Sequence, residues 1–185
     1  MNEKDLKHTE KFCSTSMDPI LIEIFTDGSV SGQNSPIRCG SFCAIIVLPD
    51  KSQHTIAGVF NDPYIGRMEL SAMNNALAYV EKLMTSRGQI IGMCEVLVSV
   101  DAEYIRDCAT GRKKRHQNRD LWSQFDVLAQ MFRSLTVQQR PRNTEELQGR
   151  CDLIAGEIRM AVENAMAQTL ARLNSNPDDL VHKTA

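Results

Sequence analysis

The sequence predicts an α/β domain built on one five-stranded mixed sheet flanked by helices. Short apolar stretches of strand length come first, and helical patterns alternate with strands afterwards. Consecutive hairpins make the first three strands antiparallel, whereas a strand–helix–strand crossover sets the first and fourth parallel. A chain of 185 residues, 42% hydrophobic, suffices for one packed core with short tails.

Residues 1–18 mix charges and hydroxyls without apolar periodicity and read as a disordered tail; residues 19–173 form the domain; residues 174–185, with Asn174, Asn176 and Pro177, read as a second tail. Residues 20–26 are apolar on both faces except at Glu23, as in a central strand covered on each side, and Asp27 stands at its end. Gly28, Gly32 and Pro36 punctuate a loop, after which residues 41–48 and 54–60 read as two strands joined by a turn. From Glu69 to about Leu83, Ala72, Met73, Ala76, Val80 and Leu83 recur at helical spacing, and Glu69 lies on that apolar stripe. Residues 95–100 make a fourth strand ending at Asp101, followed by a short helix over 102–110 that Gly111 stops.

A basic run, Arg112, Lys113, Lys114, Arg115 and His116, precedes a helix with Leu121, Phe125, Leu128 and Phe132 on one face. Residues 135–139 are a short fifth strand. A last helix spans about 145–173, with Asp152, Ala155, Arg159, Val162 and Met166 along one side.

The formal net charge of -2 excludes a global basic field, so any nucleic-acid binding must be local. Six cysteines without a secretory leader read as free, buried thiols in a reducing compartment. Cys39 and Cys43 have no second Cys or His pair at zinc-like spacing. The longest nearly uncharged apolar run, 41–48, is too short to cross a bilayer. The expectation is a soluble, cytoplasmic monomer.

Three acids occupy positions where a solvated charge is out of place: two strand ends and the apolar stripe of a helix. Convergent buried carboxylates need protonation, a basic partner or a metal. Magnesium takes oxygen ligands and retains waters, leaving room for phosphate oxygens. Taken singly, each acid reads more readily as a turn or a helix cap.

The segment from Ile24 to Arg159 resembles the type 1 ribonuclease H family. The matches are FTDGS (residues 25–29), RMEL (67–70), SVDAEYI (99–105), NRDLW (118–122) and GRCDLIA (149–155), in the family's order. The resemblance implies a ribonuclease H-like fold with strand order 3-2-1-4-5. It implies a two-metal centre on Asp27, Glu69, Asp101 and Asp152 holding Mg2+, with Mn2+ possible. The implied reaction is hydrolysis of the RNA strand of RNA–DNA hybrids. Asn118 matches a position that holds a DNA-strand phosphate; Trp122 matches one that helps form the DNA channel, with core packing of its helix as the alternative.

Several positions depart from the family. Residues that read RNA 2′-hydroxyls correspond to Gln33, Ile65 and Glu103; Ile65 has no hydrogen-bonding side chain, and ionised Glu103 only accepts. The loop histidine is missing, with Arg142 or Asn143 in its neighbourhood, and the basic protrusion is shortened to the run around Arg112. Gln33, Asn118, Trp122 and Arg142 are therefore the candidate substrate-binding residues. A nuclease of the same fold with another nucleic-acid substrate, or a non-catalytic binding module, are the competing expectations.

Overall fold

The computed structural model describes residues 18–61, 64–140 and 145–175. Arg142 and most of the two expected tails lie outside these residues; of the tails, Asp18 is described, without regular structure, and the last helix continues through 174 and 175.

The chain runs β1 (Ile20–Val30), β2 (Gly40–Val47), β3 (Gln53–Phe60), α1 (Ile65–Ser86), a 3-10 turn, β4 (Cys94–Val100), α2 (Glu103–Ala109), α3 (Arg119–Ala129), β5 (Ser134–Gln139) and α4 (Glu146–Ser175). The five strands are ordered β3-β2-β1-β4-β5. β1–β2 and β2–β3 pair antiparallel, and β1–β4 and β4–β5 pair parallel, so the sheet is mixed as the connections require.

Period-2 alternation gives β1 two buried faces. Ile22 and Ile24 point into the larger core with Leu70, Met73, Leu77 and Val80 of α1 and Val96 and Val98 of β4. Phe25 points to the opposite face, where Cys43, Ile45 and Val47 of β2 meet Cys151 and Ala155 of α4. The central strand is thus sandwiched between helices, which explains its near-continuous apolar sequence. The edge strands β3 and β5 alternate or stay largely exposed.

β1 runs further than its apolar pattern suggests. Its pairing with β4 ends at Thr26–Val100, but its pairing with β2 continues through Asp27–Cys43 to Val30–Gly40. Asp27 therefore sits inside the strand, one residue past the point where the parallel ladder stops. Beyond Thr26 the strand pairs in the sheet with β2 alone, and its buried residues there serve the acids and the close approach of α1 rather than apolar packing.

Between α2 and α3 the chain passes through Gly111, whose φ of +75° takes the left-handed conformation that ends the preceding helix. No helix forms between α2 and Arg119, so the basic run is a short connection. Lys113 anchors it to Asp107, with Nζ 3.0 Å from the carboxylate and its backbone amide donating to the Asp107 carbonyl.

Candidate metal centre

Three elements deliver the acids. Asp27 leaves β1 just beyond the β4 ladder, Asp101 follows the end of β4 next to β1, and Glu69 lies in the second turn of α1. α1 can reach the strand because residue 28 is glycine: a Cβ there would stand 2.8 Å from the Glu69 backbone nitrogen and 2.8 Å from the Met68 Cβ. The Gly28 amide in turn donates to Asp27 Oδ1 at 2.9 Å, fixing that carboxylate's rotamer.

Oxygens of Asp27, Glu69 and Asp101 all lie within 4.8 Å of one another. Asp27 is 0% and Glu69 2% exposed, while Asp101 is partly open to solvent. Burial, followed by the negative charges of Asp27 and Asp101 and a hydrogen bond with Asp27, pushes the Glu69 carboxyl well above the usual glutamate range. Glu69 Oε2 has no hydrogen-bond partner among the described residues. A buried carboxylate oxygen facing two other acids and no donor is costly as it stands, by several kcal/mol per ion. A hard divalent cation relieves both the repulsion and the orphaned oxygen, so the donor set fits magnesium or manganese.

Asp152 is not one of the three acids that meet within 4.8 Å. It is half-buried on the part of α4 that crosses the end of β1. That crossing is tightly fixed. The Gln148 amide donates to the Thr26 carbonyl at 2.8 Å, the Cys151 thiol to the Phe25 carbonyl at 3.2 Å, and the Ser41 hydroxyl to the Ala155 carbonyl at 2.6 Å. Further along, Arg159 Nε donates to Ser29 Oγ at 3.0 Å and pairs with Glu163, which accepts from Ser35. Asp152 thus sits on a helix pinned to the strand that carries Asp27. Gln148, fully buried and one helical turn before Asp152, was not singled out from the sequence; its i−4 spacing from that acid was the available signal.

The candidate substrate residues are dispersed. Asn118 caps α3 in the left-handed conformation, φ 55° and ψ 40°, and its Oδ1 accepts from Arg67 at 3.4 Å. Arg67 also holds Asp120 through two bonds of 3.1 and 2.8 Å, locking the start of α1 to the start of α3. Tyr64, Ile65, Gly66, Arg67, Gln117 and Asn118 line a cleft of about 570 Å³ there. Gln33 is exposed in the β1–β2 loop.

Trp122 is placed in the core: it is 2% exposed and packs edge-on against Phe125 at 5.5 Å. Its outer side is covered by the Arg115 guanidinium, 4.3 Å from the ring centroid. Arg115 itself is held by Asp126 at 2.7 Å and by the Cys108 carbonyl at 3.0 Å. Within the basic run, Arg112, Lys114 and His116 remain exposed. Among the described residues no helix is long and apolar enough to cross a membrane.

Comparison with known proteins agrees with this geometry. The family model for RNase H matches residues 20–175. A ribonuclease H of Yersinia enterocolitica is 30% identical over 170 residues, covering 85% of this chain and 97% of that protein. Ribonuclease HI of Helicobacter pylori is 29% identical, covering 72% and 90%. Among solved structures, the N-terminal RNase H domain of a Mycobacterium tuberculosis protein superposes with a TM-score of 0.65 at 20% identity, covering 80% of this chain and 99% of that one. LC11-RNase H1, solved in complex with an RNA/DNA hybrid, gives 0.59 at 21% identity, covering 74% and 94%. With the family model spanning most of its length and the fold matching in strand order, the chain belongs to the ribonuclease H family and is a hydrolase of the ribonuclease H type.

Proposed function

We propose that the protein is an endonuclease that hydrolyses the RNA strand of RNA–DNA hybrids, with Asp27, Glu69, Asp101 and Asp152 holding two divalent metal ions. The observation that carries this reading is the convergence of three carboxylates from three elements within 4.8 Å, with one oxygen of the buried Glu69, Oε2, left without a hydrogen-bond partner among the described residues. When bound, such ions activate water for attack on phosphorus and stabilise the leaving oxygen.

The chain's own residues would act around that chemistry. The Gly28 amide keeps Asp27 aimed at the centre, and the bonds from Gln148 and Cys151 hold the Asp152 turn of α4 against β1. Asp101 is the most open of the three convergent acids, so substrate would reach the centre from its side. Asn118, with Arg67 behind it, offers an amide donor at the cleft for a phosphate oxygen of the DNA strand. Exposed Arg112 and Lys114 supply local positive charge to an otherwise acidic chain. Gln33 and Arg142 are proposed substrate contacts on the sequence match alone. The five described cysteines are all free and buried, which supports a reducing, cytoplasmic location.

A second reading, a nuclease of this fold with another nucleic-acid substrate, is favoured by two residues. Ile65, 47% exposed at the cleft, has no polar group for a 2′-hydroxyl, and Glu103 is engaged with Arg106 at 3.0 Å. Side-by-side digestion of labelled hybrid, double-stranded RNA, single-stranded RNA and DNA, with magnesium and with chelator, tests both. Magnesium-dependent cleavage confined to the hybrid is the expected result. Equal or preferred cleavage of another substrate selects the second reading, and no cleavage of any rejects both.

A further inference from the structure

We propose that Cys43 and Cys151 form an oxidisable thiol pair, and that a hydroperoxide joins them into a disulfide tying β2 to α4 at the carboxylate centre. Cys43 is the cross-strand partner of Asp27 on the face that α4 covers, and Cys151 immediately precedes Asp152. Both thiols are 0% exposed and packed among Phe25, Ile45, Val47 and Ala155. The two thiols are hydrogen-bonded to each other; with the single Cys151 S–H donated to the Phe25 carbonyl at 3.2 Å, Cys43 is the donor of the pair. The other described cysteines have different neighbours: Cys39 meets Ser31 Oγ at 3.4 Å, Cys108 meets the Lys114 carbonyl at 3.7 Å, and Cys94 lies in the larger core. Among the described cysteines, Cys43 and Cys151 are the two whose thiols bond to each other.

The chemistry balances with the hydroperoxide as the two-electron oxidant. One thiol sulfur attacks the terminal peroxide oxygen, the O–O bond breaks, and the products are a sulfenic acid and an alcohol. The second sulfur then displaces the hydroxyl from that sulfenic acid, forming the S–S bond and releasing water. Because both thiols are enclosed, the oxidant enters through local opening of α4 from the sheet, and the reaction is slow relative to that of exposed thiols. A hydrogen-bonded sulfur pair must close to about 2.05 Å to bond. That closure draws α4 toward β2 between the residues next to Asp27 and Asp152, shifting one acid relative to the other. Disulfide formation stands on the structure alone; its effect on cleavage rests on the proposed function.

The 185-residue chain is treated with cumene hydroperoxide, alkylated, digested without reduction and mapped by mass spectrometry. The expected result is a peptide linking Cys43 to Cys151 and lacking two hydrogens, which disappears with dithiothreitol. The rise in melting temperature produced by magnesium should fall by at least half in the oxidised protein, and hybrid cleavage should drop at least fivefold and recover on reduction. In Cys43→Ala and Cys151→Ala the linked peptide and the reversible loss should both vanish. Because the map of the unmutated protein is decisive by itself, poor folding of either variant leaves the test intact. Recovery of both cysteines as separately alkylated or separately oxidised residues overturns the proposal, as does a linked peptide with unchanged magnesium response. If reduced protein cleaves nothing, the proposed function fails while the peptide map still decides the disulfide.

Discussion

Gly28 and Glu69 meet backbone to side: a Cβ on residue 28 would stand 2.8 Å from the Glu69 amide nitrogen, and 3.1 Å from the Met68 carbonyl carbon. The contact is what lets a helix on one face of the sheet present an acid at the end of a strand whose own acid faces the other helix layer. Gly28→Ala should therefore push the start of α1 away, costing about 1–3 kcal/mol by overpacking. Cleavage should fall at least tenfold, because the carboxylates separate. Urea denaturation alongside hybrid cleavage checks both; unchanged activity would mean the centre tolerates the displacement.

Glu69 gives a pH prediction. Its folded-state affinity for a proton is raised, mainly by burial and then by Asp27 and Asp101. The folded state therefore holds more protons than the unfolded one, so this contribution is full below the usual glutamate value of about 4.5 and is lost as pH rises through the folded value. In chelator, Glu69→Gln should gain stability relative to the parent as pH is raised from 4 to 8. Magnesium should narrow the gap by compensating the charge in the parent. Melting temperatures of both proteins across that range decide it, and a pH-independent difference contradicts the assignment.

Arg67 and Asn118 should act on substrate affinity more than on fold. The Arg67–Asp120 pair is on the surface, where screening leaves little net stabilisation. Asn118→Ala should raise KM for the hybrid several-fold with kcat nearly unchanged, and Arg67→Ala should do the same indirectly by releasing Asn118. A fall in kcat with constant KM would place these residues in the chemistry instead.

Arg112 and Lys114 are the exposed basic residues whose contribution salt can reveal. If each neutralises one phosphate, replacing either by Ala should reduce the slope of log K against log salt by about 0.9. Arg115→Ala should behave differently, chiefly destabilising the protein, because its guanidinium covers Trp122 and is tied to Asp126 and Cys108. Filter binding of catalytically silent protein at several salt concentrations separates the two behaviours.

Much of this arrangement was legible in the sequence because the deciding signals are local. The two-sided apolar run before Asp27 and the stripe carrying Glu69 follow from strand and helix periodicity, and the crossover fixed which strands are neighbours. What was not legible depends on pairing across the fold. The extension of β1 through Val30 follows from β2 alone, and a Asp-Gly-Ser stretch reads locally as a turn. Helical spacing puts Asp152 on the right face of α4 but cannot say how far that face stands from Asp27, which Gln148 and Cys151 set. Trp122 was undecided for the same reason: only the packing of Phe125 and Arg115 around it places it in the core.

The most direct measurement concerns Asp27. Asp27→Asn keeps the shape of the side chain while removing one negative ligand from the group of three acids. It relieves their mutual repulsion, so the metal-free variant should melt at or above the parent temperature. Magnesium should raise the melting temperature of the parent but much less that of the variant, since a ligand bound only by the folded state stabilises it by mass action. Hybrid binding should persist through the phosphate contacts, while cleavage should fall by at least a thousandfold. A variant that melts like the parent with magnesium and cuts at near the parental rate would make Asp27 structural and contradict the metal-centre assignment.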